Sequence, residues 1–252
     1  MNASTRRLAA WLTPVLALLA TAALAQTPPL VVRHSHYFVV VNPGPTAPVL
    51  TLTSRAFYTY ADTLAATVSD PDGAVRLDLQ VLLGTSWRGA IPGPVAPLYL
   101  VTARPGMNGV IFGADRPWGV VANGAGLGSN GPVPVLYLYV PPECAAFTVT
   151  CAAASLNEGA RLTVCQPDGT AALVLDGEFD RPETREITGP APARGQVWSL
   201  AWAAPQSVKA ALDDVETTIT GPLAPLLWPE REWAASHGPM VWARQREATA
   251  RQ

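Results

Sequence analysis

Charge is scarce in this chain of 252 residues. Only 14% of positions are Asp, Glu, Lys or Arg, the formal net charge is −2, and Lys209 is the single lysine. A chain so poor in cations has no electrostatic footprint for nucleic acid or an anionic membrane surface. Histidine is almost as sparse: His34 and His36 lie near one end and His237 far off near the other. His34 and His36 are spaced to share one face of a strand, where copper or zinc would be the ion held, yet a third ligand is missing. The pattern Gly-x-Ser-x-Gly occurs nowhere, which weakens a serine hydrolase. The Gly run Asn123–Gly131 is followed by no lysine and no amphipathic helix, so it is no phosphate loop. Long helical periodicities are also wanting.

Present instead are 25 prolines, 20 glycines and an apolar fraction of 49%. That balance supplies a core and many tight turns, and it excludes wholesale disorder. Arg6 and Arg7 precede an apolar run, Leu8 to Leu24, and Ala23-Leu24-Ala25 offers small residues at a cleavage position. Residues 1–25 therefore read as a signal peptide, leaving no membrane span after cleavage and a secreted or periplasmic destination. No cysteine follows the cleavage position, against a lipoprotein.

The remaining chain reads as strands. Leu30 to Val41 is an apolar, Val-rich opening strand ended by Asn42-Pro43-Gly44-Pro45. Leu64, Ala66 and Val68 alternate into Ser69-Asp70-Pro71-Asp72-Gly73, and Leu77, Leu79 and Val81 alternate out of it: a hairpin with one wet face. Pattern loosens from Gly84 to Gly131, and Asn123–Gly131 reads as a flexible connector. The second half has strands at Leu136–Val140, Phe147–Cys151, Arg161–Cys165, Ala172–Phe179, Gln196–Trp202 and Val215–Ile219, with Trp198, Leu200 and Trp202 sharing one face. Pro-Asp-Gly occurs at Pro71 and again at Pro167, each time between two strand-like segments, which raises a duplicated sandwich. The expected fold is all-β, an antiparallel, jelly-roll-like β-sandwich in two halves. Residues 26–128 would form an N-terminal β domain, 129–228 a C-terminal sandwich, and 229–252 a weakly helical or disordered tail.

Three cysteines sit together at 144, 151 and 165. In an oxidising compartment two of them can bridge. Cys144 and Cys151 flank one extended strand, about 23 Å of chain, so they cannot join. The hairpin about Ser155–Gly159 returns Cys165 towards the first strand, which makes Cys144–Cys165 the expected pair beside the alternative of three free thiols.

The candidate chemistry is thin. Asp176, Glu178 and Asp180 alternate on one strand face, where calcium would find oxygen ligands; the competing reading is a solvated edge. Trp87 and Trp118 lie in Gly/Pro-rich surroundings beside Arg88 and Arg116, the arrangement expected of ring-stacking saccharide contacts; sandwich-end plugs are the alternative. Tyr58 and Tyr60 make a second aromatic stripe on one strand face.

Tyr137-Leu138-Tyr139-Val140-Pro141, Phe147-Thr148-Val149-Thr150 and Ala160-Arg161-Leu162-Thr163-Val164-Cys165-Gln166-Pro167-Asp168-Gly169 together resemble accessory β-sandwich modules of secreted bacterial hydrolases. The similarity is to pre-peptidase C-terminal-like domains and galactose-binding-like carbohydrate-binding modules, over residues 132 to 220. It implies a non-catalytic role, no cofactor other than an occasional structural calcium, and extracellular polysaccharide or another envelope protein as partner. A cell-envelope interaction protein is the alternative, and a hydrolase with an unrecognised site comes third.

Overall fold

The structure is a computed structural model that describes residues 28–250, Ala125 excepted. The expected signal peptide, residues 1–25, lies outside the described residues. Among these, strands dominate and one helix closes the chain, as the turn-rich, alternating sequence requires. The first nine strands are β1 (Val31–Arg33), β2 (His36–Val41), β3 (Val49–Arg55), β4 (Leu64–Ser69), β5 (Val75–Val81), β6 (Ser86–Ala90), β7 (Leu98–Arg104), β8 (Gly109–Ala114) and β9 (Trp118–Val121). The next nine are β10 (Leu127–Ser129), β11 (Leu136–Val140), β12 (Ala146–Ala153), β13 (Gly159–Cys165), β14 (Ala171–Glu178), β15 (Glu183–Thr188), β16 (Gln196–Ala203), β17 (Val215–Thr220) and β18 (Leu226–Trp228). Helix α1 spans Arg231–Ala250.

Two antiparallel sheets result. One has the order β15-β12-β17-β10-β1-β8-β3-β6, the other β14-β13-β16-β11-β18-β9-β2-β7-β4-β5. Split after β9, each sheet reads twice. The first unit places 1-8-3-6 over 9-2-7-4-5, and the second repeats that order strand for strand as 10-17-12-15 over 18-11-16-13-14. Strands 1-8-3-6 facing 2-7-4-5 is the jelly-roll order, so the sheet topology is that of a duplicated jelly-roll. Equivalent strands meet antiparallel at the centre, Val32 opposite Ser129 and Val121 opposite Leu226, as a twofold relation between the units requires. Corresponding ends of the two sandwiches therefore point in opposite directions. Both sheets and one hydrophobic core run unbroken across the join.

The two Pro-Asp-Gly turns fall at the same place in each unit, between β4 and β5 and between β13 and β14. Gly73 N–H donates to Asp70 O and Asp70 N–H to Ala74 O; Gly169 N–H donates to Gln166 O and Gln166 N–H to Thr170 O. Each is preceded by a bulge, at Val68/Ser69 and at Val164/Cys165. Gly73 and Gly169 have φ of 81° and 88°, the left-handed backbone that glycine enters without strain.

Several expectations are corrected. The opening strand is two, broken at His34, whose φ of 63° turns the chain from one sheet into the other. The Gly-rich connector is partly strand: Leu127 is fully buried opposite Thr217, and β10 holds the centre of its sheet. A Cβ at Gly128 would sit in ordinary contact with Arg33 O at 3.4 Å and the His36 ring at 3.5 Å, so the strand passes close to β1 and β2. The tail is a helix. Trp233, Ala234, Met240 and Val241 cover Val41, Val197, Leu226 and Trp228 on the outer face of the second sheet, across the join. Burial of that apolar face stabilises a segment whose Gly238-Pro239 reads as a stop.

The cysteines are free. Cys165 pairs with Ser199, itself opposite Tyr137, so Cys165 lies two strands across and three residues along from Val140, where β11 leaves for Cys144. Its side chain follows Arg161 and Thr163 on the outer face, while Cys144 is buried in the core. The expected Cys144–Cys165 bridge thus has neither the distance nor the direction. Cys151 lies inside, within 3.8 Å of the Thr217 hydroxyl, and burial pushes its thiol up to about 12.

Candidate functional site

The residues expected to bind do not assemble a surface. Trp118 is 8% exposed and packs edge-on to Phe38 and Phe112, with centroids 5.9 and 5.0 Å away. Trp87 sits on edge strand β6 opposite Leu52 and folds its indole inward over Gly89, where a Cβ would lie 2.5 Å from the ring. Arg88 alternates to the outside and is exposed. Arg116 is tied to the Thr46 hydroxyl (2.8 Å) and to Asp115 (3.5 Å). The aromatics plug the sandwich, because β6 and β9 are strands facing inward rather than the loops their Gly and Pro neighbours suggest.

Asp176, Glu178 and Asp180 are likewise no cation cage. Asp176 accepts from Gln206 N–H (2.8 Å), Ser207 N–H (3.2 Å) and Arg161 (2.7 Å), and these bonds, the Gln206 amide first, hold its carboxyl below the usual range. Glu178 ends β14 exposed, and Asp180 lies beyond the strand. Among the described residues no three of His, Cys, Asp and Glu gather to hold a metal.

His36 is buried, not exposed. Its Nε2 accepts the Gly128 N–H at 3.0 Å, so Nδ1 carries the proton and faces His34 O at 3.3 Å. Burial pushes this imidazole down to about 4. Beside it at the join, buried Arg33 is paired with Asp214, donates to Met107 O at 3.0 Å and lies 5.2 Å from the Phe57 ring centroid. Burial raises Asp213 and Glu158, whose carboxyls also feel Asp214. This cluster joins the two units, and it leaves Arg33 Nε and Asp214 Oδ1 buried without a hydrogen-bond partner.

Tyr58 and Tyr60 lie on a loop. Tyr58 is 78% exposed at φ 48°, edge-to-face with Tyr60. Buried Asn108 fixes the loop, accepting from Phe57 N–H (3.0 Å) and donating to Tyr60 O (3.3 Å) and Asp62 O (3.0 Å).

What sequence reasoning missed is the open end of the second unit. A cleft of about 560 Å³ lies between the sheets there, walled by Phe147 and Ile187 from one and by Trp198, Gln196 and Ala172 from the other. Trp198 stands edge-on to Phe147 at 5.4 Å, and its indole N–H donates to Gln196 Oε1 at 3.2 Å. Gln166 of the Pro-Asp-Gly turn and the segment Gly189-Pro190 form the lip.

The duplication explains why this end is open. Ile91 N–H donates to Pro48 O in the first unit as Gly189 N–H donates to Ala145 O in the second, so Ile91 and Gly189 correspond. Ile91 is 2% exposed and fills its sandwich end, whereas a Cβ at Gly189 would meet nothing within 4 Å. Counted from the two turns, Asp70 corresponds to Gln166 and Arg76 to Ala172. In the first unit Arg76 Nε donates to Asp70 at 2.8 Å and closes that end; in the second the pair is replaced by an amide and a methyl. Tyr99, fully buried with its hydroxyl accepting from Ala96 N–H at 2.7 Å, stands where Trp198 stands. The signal lay in the sequence, but only an alignment on the two turns exposes it.

No protein-family model, curated protein or solved structure matches the chain. The duplicated fold and this cleft are therefore the ground for function. No helix among the described residues is long and apolar enough to cross a membrane.

Proposed function

We propose that the chain is an exported, non-catalytic binding protein that takes carbohydrate in the open end of its second unit. The observation that carries this reading is the contrast between equivalent ends: Ile91 and the Asp70–Arg76 pair fill one, while Gly189, Gln166 and Ala172 leave the other open beside an indole. An aromatic wall with carboxamides at hand suits a saccharide, whose CH groups meet apolar surface while its hydroxyls take amide donors and acceptors. Glycoside hydrolysis needs two facing carboxyl groups, and among the described residues Glu186 is the one carboxylate in the lining. The resemblance to accessory sandwich modules points the same way. Affinity electrophoresis against a polysaccharide panel tests it. Retardation of the wild type that Trp198→Ala abolishes is expected; uniform mobility on every polysaccharide removes the reading.

A second reading, an interaction protein of the cell envelope, is favoured by the Tyr58 loop. A tyrosine held in left-handed backbone and 78% exposed is presented rather than packed. Capture from native envelope that Tyr58→Ser leaves unchanged would dismiss it.

A further inference from the structure

We propose that the cleft receives the end of an uncharged saccharide chain, not a length of chain lying across the surface; this rests on the carbohydrate reading above and narrows its ligand. The cleft has a floor: the Phe147 and Trp198 rings meet edge-on at 5.4 Å between the sheets, and both, with Ile187, belong to or pack against the core behind. A chain passing between the sheets would have to part these rings, whereas a terminal segment entering past the lip at Gln166 and Gly189 would not. About 560 Å³ is the size of a small-molecule site, enough for a short terminal segment.

The electrostatics select against charge. Among the described residues no Lys, Arg or His lines the cleft. Glu186 pairs with Thr148 on the outward-facing row of its strands and is exposed, so it sits at the rim and repels anions. An acidic sugar would lose its hydration without gaining a cation. The hydrogen-bonding groups fit neutral hydroxyls. Gln196 already accepts the Trp198 N–H, which leaves its NH₂ to donate, and Gln166 offers both functions of its amide. Pro190 and Pro192 stiffen the lip, so little order is lost on binding.

The test is calorimetric titration of the full chain with neutral linear gluco- and manno-oligosaccharides of increasing length, with their parent polymers, and with uronic-acid oligomers of equal length. Affinity should level off at about two to three units. Polymer binding should scale with the number of chain ends, and uronic-acid oligomers should bind at least about tenfold more weakly. Affinity that keeps rising with length, or polymer binding in proportion to mass, overturns chain-end recognition while the carbohydrate reading survives. Equal affinity for the uronic-acid series overturns selection for neutral sugars. Absence of binding to any of these probes overturns both.

Discussion

His36 should make the fold sensitive to mild acid. The imidazole is 2% exposed, accepts the Gly128 N–H, and so ties β2 to the strand at the centre of the opposite sheet. Burial lowers its pKa from 6.5 to about 4. Between those values the unfolded chain takes up a proton that the folded chain refuses, so stability falls as pH drops through this window and this group costs nothing further below it. At ~1.36 kcal/mol per unit the loss by pH 4 is about 3 kcal/mol, a large share of the 5–15 kcal/mol typical of a folded protein. The assay is urea denaturation followed by tryptophan fluorescence at pH 7, 6, 5 and 4, for the wild type and for His36→Gln, whose amide can still accept the Gly128 N–H. Carboxylates titrate in both proteins, so the difference between the two curves isolates His36. The wild type should lose about 3 kcal/mol more than the variant across this range. Parallel curves would refute the reasoning, because an imidazole that protonates freely in the folded state is not buried as described.

Three other outcomes follow from the packing. Asp214→Asn leaves Arg33 charged and unpaired in the join between the units, and should cost about 3–5 kcal/mol in denaturant unfolding. Gly238→Ala gains ~1 kcal/mol of helix propensity but puts a Cβ 2.5 Å from Tyr139 Cβ; overpacking at ~1–3 kcal/mol should win, seen as a lower Tm. Thiol titration without reductant should find all three cysteines in denaturant. In the folded protein Cys165 should react first and Cys151 last, since Cys151 is fully buried and its thiol is raised to about 12.

Much of the fold was legible because alternation survives in the strands. Leu64, Ala66 and Val68 face the core opposite Val81, Leu79 and Leu77, as their spacing implies, and Trp198 and Trp202 share the inner face of β16. The duplication was legible only as a repeated Pro-Asp-Gly. Glycine and proline are demanded by the turn itself, whereas core positions accept any apolar residue of suitable volume, so Tyr99 and Trp198 hold the same place without being the same residue. The candidate site was misread for a related reason. Gly and Pro around Trp87 and Trp118 mark bends at the ends of short strands, and the rings point inward from them. Trp198 was rightly placed on the inner face. Nothing in its own segment says that the sandwich end beside it is open; that depends on Gly189 and Ala172, whose side chains are missing or small. The helix was hidden by Gly238-Pro239, where close approach to Tyr139 makes glycine useful inside a helix.

The second unit should bind its ligand where the first unit is plugged. Gly189→Ile reproduces the plug at a position with open space and no left-handed backbone requirement. Calorimetric titration of this variant and of the wild type, with a saccharide the wild type binds, is the direct measurement. Loss of binding by at least about tenfold with an unchanged Tm is predicted. Undiminished binding by Gly189→Ile would place the ligand elsewhere on the molecule and contradict the account.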